Sequence, residues 1–233
     1  MSEEELVLKG IKYRRAKRDD FEVILKFTKE HFYKLEPCAR NFKMTPEDLE
    51  KGLSGVIKDA LQSNYSALAI NEADGDLVGY RIVTIADRDK WPKKKNDSSE
   101  DGNGQKKCPE QVVFFEILDD LKDRMFNLIS VKNPHVNRVV RRELSCVKEN
   151  YQRRGIGSNL AEVYFADKDL KEAGVQGIVS ETSSFANQNL LKKKGFEPLE
   201  EVELLGHEAK DGSRINNCLD DGTTKIVLNF KLL

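Results

Sequence analysis

The sequence predicts an α/β fold: a mixed central β-sheet of about seven strands flanked by helices, with a charged loop inserted, in one domain over residues 1–233. Three observations predict it. Seven short segments rich in apolar and β-branched residues read as strands. Between them lie stretches whose apolar residues recur at helical spacing. In the C-terminal half the two kinds alternate, which implies a parallel core. A chain of 233 residues is long enough to bury one core and enclose a pocket.

The first strand runs from Ile11 to Ala16. Asp19 and Asp20 then lead into Phe21, Ile24, Leu25, Phe27 and Thr28, an apolar stripe whose helix must stop near Pro37. Thr45-Pro46-Glu47-Asp48 starts a second helix. Thr caps it, Pro sits in the first turn, carboxylates lie where the helix dipole favours them, and Leu49, Leu53, Ile57 and Leu61 share one face. Tyr65 to Ile70 and Leu77 to Ile85 form an antiparallel pair around the turn-forming stretch Glu72-Ala73-Asp74-Gly75-Asp76. From Asp87 to Lys107 the composition is too polar to order itself, and the segment reads as an exposed, mobile loop.

Pro109 to Ile129 resumes helical spacing through Val112, Phe115, Ile117, Leu121, Met125 and Leu128. Arg138 to Val147 reads as a strand, Gly157 to Lys171 as an amphipathic helix, and Gly177 to Ser180 as a short buried strand. Asn187 to Lys194 is another helix, closed by Gly195. Phe196 to Leu205 and Lys225 to Leu232 supply the last strands, with Asp220-Asp221-Gly222 as the turn before the final one.

Charged residues make up 34% and hydrophobic ones 39%, and the formal charge is -1, so no molecular field steers the chain to nucleic acid or a membrane surface. Lys93-Lys94-Lys95 and Arg138 to Arg142 read as solvated surface. The four cysteines lie far apart among only three histidines, which suggests neither a metal site nor a disulfide framework. With no basic-then-apolar N-terminus and no long apolar run, the expected compartment is the cytoplasm.

The chemistry concentrates after the strand that ends at Val147. Gln152-Arg153-Arg154-Gly155-Ile156-Gly157-Ser158 opens a helix there. A helix N-terminus offers unpaired amides and the positive end of its dipole, and glycines let phosphate oxygens approach the backbone. The segment Glu143 to Gly157 resembles the signature of GNAT acetyltransferases, and Gly195-Phe196 matches the Gly-Phe that closes their last conserved helix. The resemblance implies acetyl-CoA as co-substrate. It implies that Arg153 to Ser158 cradle the diphosphate and that Ser145, Cys146 and Val147 pair by backbone with the pantetheine arm. An amide near Val147 then polarises the thioester carbonyl.

Within that superfamily, His31-Phe32-Tyr33-Lys34-Leu35-Glu36-Pro37-Cys38 is similar to a segment of the insect-type arylalkylamine N-acetyltransferases, whose Glu before Pro serves as general base. Its counterpart here is Glu36. Such a base is needed because a primary amine is mostly protonated at neutral pH and only its free form attacks a thioester. That group also carries two serines four residues apart before the Gly-Phe helix. The positions here are Ser183 and Asn187, which departs from the pattern and suits binding of the cofactor arm better than proton transfer. Many acetyltransferases place a tyrosine acid where this chain has Leu191, which leaves Ser183, or no protein group, as acid. The implied activity is acetylation of a small arylalkylamine-type amine. The alternatives are a protein-lysine or polyamine acetyltransferase on the same fold, for which Asp119-Asp120 offers an acidic patch, and a non-catalytic acyl-CoA-binding module.

Overall fold

The computed structural model describes residues 5–91 and 108–233. One sheet of eight strands runs through it in the order β1-β2-β3-β4-β5-β6-β8-β7. The strands are β1 (Leu6–Leu8), β2 (Ile11–Arg15), β3 (Ala67–Asn71), β4 (Leu77–Asp87), β5 (Arg138–Val147), β6 (Gly177–Thr182), β7 (Glu197–Glu203) and β8 (Lys225–Leu232). The strand beyond the expected seven is β1. Its three residues are all exposed, so it carries no alternation to detect. It joins β2 through Lys9 and Gly10, both at positive φ, the backbone that a two-residue hairpin turn demands.

Every neighbouring pair is antiparallel except β5 and β6. The parallel core implied by the alternation is therefore a single pair, because β8 returns antiparallel between β6 and β7. Eight helices cover the two faces: α1 (Phe21–Phe27), α2 (Tyr33–Leu35), α3 (Pro37–Asn41), α4 (Pro46–Ala60), α5 (Pro109–Lys132), α6 (Ile156–Glu162), α7 (Asp167–Glu172) and α8 (Phe185–Lys193). On one face Ile24 and Ile57 pack on Tyr80, Ile82 and Leu144, while Leu121 and Met125 of α5 pack on Val139, Val179 and Leu228. On the other face Leu160, Leu170 and Leu191 of α6, α7 and α8 cover Tyr13, Val83, Val140 and Ile178.

Four elements differ from the expectation. The first helix stops at Leu35, near Pro37 as expected, but it passes through a π-helical turn at Thr28–Phe32 on the way, and Pro37 begins α3 instead of only ending the helix before it. The helix expected over Gly157 to Lys171 breaks into α6 and α7, because Tyr164 adopts φ 60 and turns its hydroxyl onto the Tyr13 carbonyl at 2.7 Å. Helix α8 starts at Phe185, capped by the Ser184 side chain, rather than at Asn187. The loop expected from Asp87 begins later: β4 runs to Asp87, and Trp91 donates to the Lys122 carbonyl at 3.0 Å while stacking edge-on against Phe126. Residues 92–107 of that loop lie outside the described residues.

Residues 204–224, between β7 and β8, form an irregular strap rather than a plain connection. Leu204, Ala209, Ile215 and Leu219 anchor it in the core beside α5.

The solvated-face reading of Arg138 to Arg142 also fails at its C-terminal end. The middle of the sheet is covered on both faces, so Arg142 is 3% exposed. None of its three guanidinium nitrogens has a partner among the described residues. Burial pulls its pKa down to about 10, which still leaves it charged at neutral pH. A buried cation without compensation is costly. Arg142→Met is therefore expected to stabilise the ligand-free protein by about 1–4 kcal/mol, several degrees in melting temperature. Calorimetry that finds a lower melting temperature would mean Arg142 has a partner in solution.

Candidate active site

A single extra residue shapes the site. The register of β4 against β5 shifts between Ile82 and Val83, so that Leu144 and Arg142 face consecutive residues of β4 and Glu143 is extra. A bulge of this kind bends its strand. Pairing of β5 with β6 runs from Val139↔Gly177 to Arg142↔Ser180 and ends there, although β5 continues to Val147 and β6 to Thr182. Beyond Arg142 the two strands part as a wedge, with β5 still held by β4 on its far side.

The main chain of β5 alternates in direction across this wedge. Lys148 donates its amide to the Val78 carbonyl, toward β4. In an antiparallel ladder that orientation recurs every second residue, so Cys146 also turns its main chain to β4, whereas Ser145 and Val147 turn theirs to the wedge. The Cys146 carbonyl indeed lies so close to Gly79 that a Cβ built there would sit 2.9 Å from it. Of the three residues expected to pair with an extended arm, Ser145 and Val147 are thus placed to do so and Cys146 is not. Gln152 spends its side-chain amide on the Val147 carbonyl at 3.0 Å, closing the turn after β5 and leaving the Val147 N–H on the open edge.

The turn leads into α6 through Arg153 at φ 57 and Gly155 at φ 86. At Gly155 the left-handed backbone requires glycine. At Gly157 nothing in the protein does: an added Cβ would meet no atom nearer than the Val147 methyl at 3.9 Å. Among the described residues no side-chain hydrogen bond caps the start of α6 at Gly155. Arg153 and Arg154 are exposed beside it, Arg154 lying over the Tyr151 ring at 5.0 Å. The residues present fit a diphosphate at this turn and an extended, amide-bearing chain along the open edge of β5.

Across the wedge Glu36 and Ser183 meet. Proline disfavours helical backbone in the residue before it, so Pro37 forces Glu36 out of the helix to φ -78, ψ 120. There its carboxylate caps α3, accepting the Ala39 amide at 2.6 Å on Oε2. Oε1 accepts the Ser183 hydroxyl, also at 2.6 Å. Ser183 follows directly on β6, two residues before α8. Asn187 lies half-buried in the first turn of α8, its backbone amide taken by the Ser184 cap. Leu191 is fully buried in the core, so no proton donor stands at that position.

Both groups line a cavity of about 740 Å³ between the sheet, α4 and α5. Phe32, Phe114, Phe115 and Leu118 give it apolar walls. On the sheet side sits a cluster that sequence reasoning missed. Arg141 donates to Glu143 at 2.6 Å and to both carboxylate oxygens of Glu181 at 3.1 Å, and Thr84 also donates to Glu143. The signal was present but weak: Arg141, Glu143 and Glu181 are charges on strands, and their immediate neighbours Arg142, Ser180 and Thr182 are themselves polar. Of the acidic pair Asp119-Asp120, Asp119 lines the cavity and Asp120 is paired with Arg124.

Burial pushes the Glu36 carboxyl up to about 7, against the lowering effect of the bonds from Ser183 and Ala39 and of the Arg40 charge. Burial likewise pushes the Cys146 thiol up to about 12, with the Glu36 charge adding to the effect.

No family model matches the chain, and no curated protein does. Solved structures do match. Arylalkylamine N-acetyltransferase 2 from Aedes aegypti is 17% identical, with 96% of this chain and 99% of that one covered and a TM-score of 0.72. The fold is the GNAT fold. A mosquito arylalkylamine N-acetyltransferase like 5b shares it at 17% identity, 96% and 100% coverage and a TM-score of 0.68. So does the polyamine N-acetyltransferase of Drosophila melanogaster, an enzyme that forms N-acetylagmatine, at 14% identity, 96% and 99% coverage and a TM-score of 0.67. Within the GNAT fold of this chain, the wedge and the Glu36–Ser183 pair lie at the open end of the parallel strands.

Because folding raises the Glu36 pKa from the model-peptide range near 4.5 to about 7, the protonated carboxyl is the form the folded state favours. Its contribution to stability is complete below pH 4.5 and is lost as pH rises through 7. In Glu36→Gln the amide can still accept from Ala39 and donate to Ser183 without bearing charge. That variant is expected to melt a few degrees above wild type at pH 8 and level with it at pH 4.5. Equal melting temperatures at pH 8 would show that Glu36 carries an ordinary pKa.

Proposed function

We propose that the chain is an acetyl-CoA-dependent N-acetyltransferase that acetylates a primary amine, a small arylalkylamine-type amine, by direct attack on the thioester with Glu36 as general base. The observation that carries this reading is the Glu36–Ser183 hydrogen bond in the wall of an aromatic cavity beside the wedge. A base must be ionised to accept a proton and basic enough to hold it, and a carboxyl near 7 meets both demands at neutral pH.

Acetyl-CoA supplies the acetyl group already activated as a thioester. In this reading Arg153 to Ser158 hold the diphosphate, Ser145 and Val147 pair with the pantetheine arm, Asn187 lies against the arm, and the free Val147 amide faces the developing oxyanion. Glu36 first passes the ammonium's extra proton to solvent; the free amine then forms the new C–N bond as the C–S bond breaks, and one further proton must pass from nitrogen to sulfur. Glu36 takes it from nitrogen. Once protonated, Glu36 can reverse its bond to Ser183 and become the donor, which frees the Ser183 proton for the leaving sulfur. The pair thus serves as base and acid in turn, with no tyrosine at Leu191.

One observation favours a second acceptor class. Glu143, Glu181, Asp48 and Asp119 outnumber Arg141, Lys51 and Lys122 in the cavity lining by one, so an acceptor bearing a second cation, such as a polyamine, gains charge complementarity that a phenyl ring does not. A screen of arylalkylamines against diamines with labelled acetyl-CoA separates the two by kcat/KM.

Two outcomes test the core of the proposal. In Gly157→Glu the added Cβ would make only an ordinary contact with the Val147 methyl at 3.9 Å and the new charge suits a helix N-terminus, so the fold should hold its melting temperature. CoA affinity by calorimetry is expected to fall about a hundredfold or more, and an unchanged affinity overturns the diphosphate assignment. In Glu36→Gln turnover should fall roughly 10²–10⁴-fold with acetyl-CoA affinity kept. The wild-type profile of kcat/KM against pH should break near 7, where Glu36 ionises, and the variant should lack that break. Wild-type turnover by the variant at neutral pH removes Glu36 from the mechanism.

A further inference from the structure

The strap at residues 204–224 touches both segments that present the catalytic pair, and it does so with two consecutive acids. Asp220 accepts from Arg40, from Nε at 2.6 Å and also from Nη2. The third nitrogen of that fork, Nη1, donates to the Leu35 carbonyl at 2.7 Å, the residue before Glu36. Asp221 accepts the Phe185 amide at 3.1 Å and the Thr223 hydroxyl at 2.9 Å, and that hydroxyl oxygen in turn accepts the same amide at 2.7 Å. Phe185 is two residues past Ser183. The strap itself is fixed by the buried side chains of Ile215 and Leu219 and by a bond from the Lys210 amide to Glu116 of α5.

From these contacts we infer that Asp220 and Asp221 are positioning residues for the Glu36–Ser183 pair: one holds, through Arg40, the segment that carries Glu36, and its neighbour holds the segment that carries Ser183. Rigid spacing of adjacent residues in one chain then sets the distance between two groups 147 positions apart. The inference rests on the reading of that pair as catalytic.

The Arg40 guanidinium spans the two segments, gripping Asp220 of the strap through two nitrogens and the Leu35 carbonyl through the third. The same residues also set the charge around Glu36. Arg40 of α3 lowers its pKa and Asp221 raises it. The other titratable groups facing it or sharing its cavity are Cys38 of α3, Cys146 of β5, Asp48 and Lys51 of α4, Asp119 and Lys122 of α5 and, on the sheet side, Arg141, Glu143 and Glu181. None of these is altered by substitutions in the strap or at Arg40.

The test titrates Glu36 directly, by carbon NMR of protein labelled at the glutamate carboxyls with no cofactor present, the signal assigned by its absence in Glu36→Gln. In Arg40→Gln a positive neighbour is lost and the midpoint should move up. In Asp221→Asn a negative one is lost and the midpoint should move down. Arg40→Lys restores the charge without the fork, so its midpoint should return toward wild type. In all three, kcat is expected to drop by roughly ten- to a hundredfold, as a small misplacement of catalytic groups does, with KM for acetyl-CoA unchanged. A general loosening of the fold moves the two midpoints the same way, and that result, or two unmoved midpoints, overturns the inference. Midpoints that move in opposite directions while the pH–rate profile of an active enzyme stays fixed place the fault in the reading of Glu36 as base.

Discussion

β5 carries one residue more than β4 offers to pair with it, and the position of that residue, Glu143, decides where chemistry can occur. A fully paired central sheet has no main-chain group to spare: every amide and carbonyl of an interior strand is used on both sides. The bulge bends β5 away from β6 one residue past their last shared rung, and the edge from Glu143 to Val147 is thereby half free. On one side of the resulting wedge lies the start of α6, on the other the end of β6 with Ser183. Remove the extra residue and β5 would continue along β6, with the cavity, the free Val147 amide and the Ser183 position lost together.

Glu36 reaches this wedge through a local rule rather than a tertiary one. Proline at 37 excludes helix at 36 and favours a new helix from 37, so the chain turns at this residue and the side chain becomes a cap. The cap holds one carboxylate oxygen and Ser183 holds the other. Those bonds favour the ionised form, burial opposes it, and burial wins, which leaves the group half-titrated near neutrality. A salt bridge at this position would have settled the contest toward a permanently charged, weakly basic carboxylate. The cation that lowers its pKa, Arg40, is instead directed at Asp220 and at the Leu35 carbonyl, so it steadies the segment without pairing with Glu36.

Much of the fold was legible because periodicity reports burial on one face. The strands from Ile11 onward, the capped helix after Thr45, the long helix after Pro109 and the glycine-bearing turn after Val147 all carry strong local signals, and each stands where the sequence places it. The Glu36 and Ser183 candidates lie 147 positions apart, and only the topology brings them into contact. What stayed illegible depends on non-local contacts. The break at Tyr164 exists for a carbonyl on β2, the order at Trp91 for α5, and the strap for a core whose apolar partners are scattered among polar residues. Arg141 and Arg142 misled because strand charges ordinarily mark a wet face, whereas a central strand covered on both sides has none.

Arg141 and Arg142 also show how differently one charge type behaves on the two faces of the same strand. Arg141 turns to the cavity, where Glu143 and Glu181 engage it and raise its pKa against burial. Arg142 turns to the opposite face, finds no acceptor among the described residues, and has its pKa pulled down. The cavity side therefore holds Arg141, Lys51 and Lys122 against Glu143, Glu181, Asp48 and Asp119, with Glu36 about half ionised near neutral pH beside them. An entering ammonium meets an attractive field, and near Glu36 it meets a group ready to take a proton rather than a fixed counter-ion that would hold the amine charged. Attraction at the wall and deprotonation at the end are opposite demands on a cationic substrate, and the geometry meets both by keeping the ionised pair and the titrating carboxyl as separate groups within one cavity.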